Sequence, residues 1–177
     1  MVRQVLLFVL AAGLLGTATA WMAAGAAPPK LEGELAKLEF LIGTWNFTDR
    51  FVASGGEATG IYRAEAGPGG HSIVVNFHYA DGPFAGMTGH EVFTWDAAEK
   101  VYKAYGFVSV APGCFLRSGR WEDDKLVFTG ELSTPGGMVA SRYVYVKSTP
   151  ELVEIETSRG RPGAEMRLSL RTTAKKQ

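Results

Sequence analysis

From residue 43 onward, apolar and polar positions alternate with a period of two, and turn-forming residues interrupt the rhythm at short intervals. Ile73, Val75, Phe77 and Tyr79 share one face of such a run, and Val153, Ile155 and Thr157 share one face of another. Trp45, Phe47 and Phe51 fall in phase with one another, as do Phe93 and Trp95. Turn chemistry breaks the pattern at SGGE (54–57), AGPGGH (66–71), ADGPFAG (80–86), DAAEK (96–100) and SVAPG (109–113). It breaks again at EDD (122–124), STPGG (133–137), STP (148–150) and RGRPG (159–163). These nine breaks delimit ten strands.

Ahead of the strands the period differs. Leu31, Leu35, Leu38 and Ile42 recur at helical spacing, with Glu32, Glu34, Lys37 and Glu39 between them. The spacing predicts about three turns of helix with one apolar face, stopped by Gly43. No later stretch reads as a second helix of useful length.

Ten short strands joined by tight turns, with no long crossover, form an antiparallel meander. An open meander of that size exposes two long edges, and curling the sheet until its first and last strands pair removes both. The expected fold is therefore all-β, a ten-stranded antiparallel up-and-down barrel whose leading helix covers one end. A two-sheet β-sandwich is the alternative. A barrel of this strand number is wider than its own side chains easily fill, so it tends to keep a cavity.

The segment FLIGTW (40–45) resembles the Leu-Gly-x-Trp opening of calycin-type barrels, which include lipocalins, fatty-acid-binding proteins and nitrobindins. Over residues 31–172 the chain is similar to the bacterial domain of unknown function 1579. The matching segments are the Gly-Thr-Trp start, GPGGHSIV, GMTGHEVFTWDAAEKVY and SGRWEDDKLVFTGEL. The resemblance implies a Trp on the first strand at the barrel's base, packed under a short helical turn. It imports no established activity. Nitrobindin-like barrels bind haem, with a glycine-rich run after the opening Trp and a late histidine. Here NFTDRF follows Trp45 and no histidine follows His90, so haem is disfavoured and no cofactor is expected.

Composition adds limits. Lys plus Arg number 18, as do Asp plus Glu, and the charges are scattered singly, which excludes the basic stripe of a nucleic-acid groove. The first 27 residues are distinct: Arg3, the apolar run VLLFVLAAGLLG (5–16), then the small-x-small patterns Ala18-Thr19-Ala20 and Ala24-Gly25-Ala26. They read as an export signal peptide, with an uncleaved N-terminal membrane anchor as the alternative, and place residues 28–177 in the periplasm or outside the cell as one domain. The lone Cys114 permits no intramolecular disulfide and reads as a small buried hydrophobe at the start of a strand.

Candidate chemistry is sparse. His78 and His90 lie on consecutive strands and could meet across a hairpin, the basis of a metal-dependent enzyme reading, although Glu91 falls on the opposite face from His90. His71 belongs to a loop. Glu154 and Glu156, with Arg167 and Arg171 on the next strand, read as ion pairs on the solvent face, Arg167 and Arg171 lying opposite Met166, Leu168 and Leu170. No nucleophile elbow occurs, and GPGG (67–70) leads into a strand, so it is a turn and not a phosphate cradle. The aromatic load fits either a packed core or a pocket for a small apolar or amphipathic ligand. Candidate ligand-facing residues are Trp45, Phe47, Arg63, His78, His90, Tyr105 and Tyr143. A filled barrel serving as a structural or interaction module is the competing reading.

Overall fold

Ten strands follow one another in a computed structural model that describes residues 29–134 and 136–177. They are β1 (Gly43–Phe51), β2 (Glu57–Ala66), β3 (Ile73–Asp81), β4 (Thr88–Asp96) and β5 (Val101–Val108), then β6 (Ala111–Glu122), β7 (Lys125–Thr134), β8 (Gly137–Thr149), β9 (Leu152–Gly160) and β10 (Arg167–Lys176). Every strand pairs antiparallel with its chain neighbours, and β1 pairs with β10 from Trp45↔Lys176 to Phe51↔Leu170. The sheet is a closed barrel, as expected, and the sandwich is ruled out. The proposed export segment, residues 1–27, lies outside the described residues. Among those described, no helix is long and apolar enough to cross a membrane.

The leading helix differs from expectation in kind. Gly33–Leu41 is a 3₁₀ helix and not an α-helix. Its pitch brings every third residue into line, so Leu35, Leu38 and Leu41 form one buried ridge, while Ile42 becomes the cap and is only half-buried. Gly43 then starts β1 at φ 134°, and a Cβ there would lie 2.6 Å from Lys176 Cε. The hinge therefore requires glycine on both conformational and steric grounds.

This helix closes the base of the barrel. Leu35, Leu38 and Leu41 join Trp45, Phe93, Tyr102, Leu126, Phe128 and Val153 in one cluster. The Trp45 indole N–H donates to the Leu41 carbonyl at 3.0 Å. Tyr102 donates its hydroxyl to the Glu34 carbonyl at 3.1 Å and accepts from Trp121 Nε1 at 3.2 Å. Burial pushes the Tyr102 hydroxyl up to about 12, so it stays protonated as that donor. On the β2–β3 side, Gly70 (φ 74°) leaves room for the incoming chain, since a Cβ would sit 2.0 Å from the Lys30 carbonyl.

Two smaller expectations change. Cys114 is exposed, not buried, because inward positions on β6 are Phe115, Arg117, Gly119 and Trp121 and the alternation sends residue 114 outward. Arg171 pairs with Glu156 at 3.2 Å on the outer face as expected, but Arg167 does not join them. An irregularity between Leu168 and Leu170 shifts the ladder by one residue and turns Arg167 to the other face, opposite Arg159.

Candidate ligand cavity

The barrel interior is hollow above its packed base, with a cavity of about 410 Å³. Glycines explain much of the space. Phe47 stands opposite Gly60, Phe77 opposite Gly89, and Phe128 opposite Gly119 in the ladders. A Cβ at these glycines would meet the facing ring at 2.5, 1.9 and 2.4 Å respectively. Each ring lies over a neighbouring strand's bare backbone; Phe47 and Phe77 thereby line the wall and leave the centre of the barrel free, while Phe128 packs into the base.

The apolar lining comes from Phe47, Tyr62, Val75, Phe77, Phe93 and Ile155. Tyr62 stacks on Trp45 at 5.7 Å, and Phe47 meets Tyr79 edge-on at 4.9 Å. Near the mouth Phe84, from the β3–β4 loop, leans edge-on against Phe51 at 5.6 Å and Tyr79 at 5.4 Å.

Polar groups enter this wall in two sets. On one side Asp49 accepts from the Tyr79 hydroxyl at 2.6 Å and from the Thr172 hydroxyl, while only 2% exposed. Burial raises the Asp49 carboxyl above its ordinary value, with the two hydroxyls and the nearby Arg159 acting in the other direction. Burial, reinforced by Asp49, likewise raises Tyr79 well above the ordinary phenol range. On the other side Arg117 is buried and ion-paired with Glu91, and its guanidinium lies 4.3 Å from the Tyr143 ring centroid. Burial opposes that charge. Glu91, with Tyr145 and Tyr143, outweighs burial and holds the guanidinium above the ordinary arginine range. Glu91 reaches Arg117 from two strands away because Gly106 intervenes on β5, where a Cβ would lie 3.2 Å from the carboxylate.

Of the residues singled out from sequence, Phe47 and Tyr143 line the cavity. Trp45 is fully buried beneath it as part of the base. Arg63, His78, His90 and Tyr105 face out of the barrel and cannot touch a ligand inside. Alternation is the reason: the inward positions of β2 include Gly60, Tyr62 and Ala64, those of β3 Val75, Phe77 and Tyr79, and those of β5 Tyr102, Ala104 and Gly106. On β4, Glu91 and Phe93 point inward, which leaves His90 outside, bonded to Asn76 Oδ1 at 2.9 Å and 6.5 Å from the Phe107 ring.

His78 stands opposite Thr88 in the ladder, not opposite His90. Among the described residues no group of three His, Cys, Asp or Glu side chains could hold a metal ion. No histidine lines the cavity. The interior charges Asp49, Glu91, Arg117 and Arg159 were missed from sequence. Their signal was available, since Asp49 is in phase with Trp45 and Phe47, and Glu91 with Phe93.

No family model matches the chain, and no curated protein matches it closely enough to count as a relative. Among solved structures, it is similar to the S-type phycobiliprotein lyase CPES from Guillardia theta, with a TM-score of 0.54 and 14% identity over 80% of this chain and 90% of that one. EF1p2_mFAP2b, solved bound to DFHBI, matches at a TM-score of 0.42 and 12% identity over 79% of this chain and 96% of the other. At these identities the likeness to the lyase concerns the fold, and the second likeness is too weak to carry more.

Proposed function

We propose that this protein binds a small hydrophobic or amphipathic ligand inside its barrel, as a carrier or sensor and not as an enzyme. The observation that carries the reading is the cavity of about 410 Å³, walled by Phe and Tyr rings, with Phe47 and Phe77 laid over glycines, and furnished with a few inward polar groups. Ligand sites have this character, with volumes of roughly 300–1,000 Å³, mostly apolar walls and a small number of placed polar groups. Burial of apolar ligand surface supplies the affinity, at about 25 cal/mol per Å² before the costs of association. A filled structural module would leave no such space. The lyase is named for an activity on phycobiliproteins, and this chain shares its fold.

The same reading makes the protein an exported one, acting in the periplasm or outside the cell, because residues 1–27 carry a charged start, an apolar run and small-x-small patterns. It also keeps the chain beside the domain of unknown function 1579, on the strength of the ordered segments that begin with Gly43-Thr44-Trp45.

Native mass spectrometry of protein purified from its own host's periplasm tests the proposal. A co-purifying small molecule, lost when the cavity is filled by Val75→Trp, is the expected result. A mass equal to the bare chain, combined with failure of apolar probes to bind, overturns it.

A further inference from the structure

The β9–β10 hairpin breaks a rule of sheet pairing at the cavity mouth. β9 faces inward with Val153, Ile155, Thr157 and Arg159, and Arg159 lines the cavity while remaining exposed. In an unbroken ladder Arg167 would share the outer face of β10 with Arg171. Ser169 is the extra residue that prevents this, its hydroxyl donating to the Thr157 carbonyl at 2.9 Å. Beyond the bulge the phase inverts, and Arg167 becomes the direct ladder partner of Arg159.

Like charges directly opposite one another destabilise an antiparallel pair. Among the described residues neither guanidinium has an acidic partner in an ion pair. Within residues 159–167, the turn end of the hairpin, Arg161 adds a third cation, against the single acid Glu165. Asp49 attracts Arg159 without forming an ion pair and is already held by Tyr79 and Thr172, so the pairing is only partly compensated within the chain, which points to a compensating group from outside it.

We infer that Arg159 and Arg167 form an anion-binding subsite at the mouth, so that the ligand is a small amphipathic anion held apolar end first. This deepens the cavity reading and rests on it. A carboxylate, sulfonate or similar group between the two guanidiniums accepts charge-assisted hydrogen bonds and relieves their repulsion. The orientation follows from the other interior charges. Arg117 is already committed to Glu91, and Asp49 is acidic and held by Tyr79 and Thr172. An anionic end pushed deep would meet these carboxyl groups, whereas an apolar body meets Phe47, Tyr62 and Phe77.

The test uses two fluorescent probes with one apolar body, 1-anilinonaphthalene-8-sulfonate and the uncharged N-phenyl-1-naphthylamine, titrated into the full chain. The sulfonate is expected to bind about tenfold more tightly, with one probe per barrel. Arg159→Gln and Arg167→Gln should each erase most of that preference, read as the ratio of the two probes' affinities on the same variant. The neutral probe thereby also reports that each variant is folded. Equal binding of the two probes, or a sulfonate preference that survives both substitutions, overturns the subsite while the cavity reading stands. If neither probe binds the unaltered protein, the cavity reading falls and takes the subsite with it.

Discussion

Trp45 donates its indole N–H to the carbonyl of Leu41 at 3.0 Å, so the last turn of the 3₁₀ helix is bonded to the first strand of the barrel. Trp45 is fully buried, Tyr62 stacks on one side of it, and Lys176 Nζ lies 5.3 Å from its ring. One side chain thus joins the lid, the first strand and the closing strand.

Trp45→Phe keeps a ring in this place but removes the donor and part of the volume. The Leu41 carbonyl loses a buried partner, and a space opens beside Tyr62. A loss of about 2–4 kcal/mol is expected in urea unfolding. A loss below about 1 kcal/mol would show that the helix is held by its leucine ridge alone.

Gly89→Ala tests how the cavity is made. The new methyl would lie 1.9 Å from Phe77 Cζ, so the ring must leave the wall and swing toward the centre. The expected result is a destabilisation of about 1–3 kcal/mol together with weaker binding of N-phenyl-1-naphthylamine. Unchanged binding would mean that the ring does not border the occupied space.

Glu91→Gln leaves Arg117 charged and buried without its counter-ion. Thermal or urea unfolding should show a loss of about 3 kcal/mol or more. Replacing both partners, as Glu91→Leu with Arg117→Met, should recover most of that loss, because the cost lies in the orphaned charge and not in the missing pair. Equal losses in the single and double variants would contradict this.

Asp49 gives the fold a pH dependence of definite sign. Its carboxyl is raised by burial from the ordinary 3.8, so between the two values the folded chain holds a proton that the unfolded chain has released. The contribution is full below the unfolded value and is lost as pH rises through the folded one. Relative to Asp49→Asn, which carries no such proton, the unaltered protein should therefore lose stability as pH rises from about 4. Urea midpoints of both proteins at a series of pH values measure it. A difference that is flat with pH, or that runs the other way, refutes the assignment.

The barrel was legible because its signals are local. Each of the nine breaks carries its own turn chemistry, and each strand its own alternation, so strand number and closure follow without knowledge of any distant contact. The helix was legible as an element and misread in type. Leucines at 35, 38 and 41 suit a three-residue turn as well as an α-helix, and only docking against Trp45 and Tyr102 selects between them.

The site was less legible. Phe47 and Tyr143 were found through their aromatic character, but Arg63, His78, His90 and Tyr105 were chosen for their chemistry against their own strand parity, and all four face outward. Asp49 and Glu91 carried the better signal, a charge in phase with an apolar face.

The sequence by itself determined the alternation, and through it which residues of each regular strand face the interior. Tertiary structure alone decided three things that alternation cannot express. Phe47 and Phe77 lie over Gly60 and Gly89 only because ladder register places them opposite, and that helps to leave the barrel hollow. Glu91 and Arg117, 26 residues apart, meet only because the sheet curves across Gly106. Arg167 faces Arg159 only because Ser169 bulges out of register, and a one-residue slip inverts every side chain beyond it.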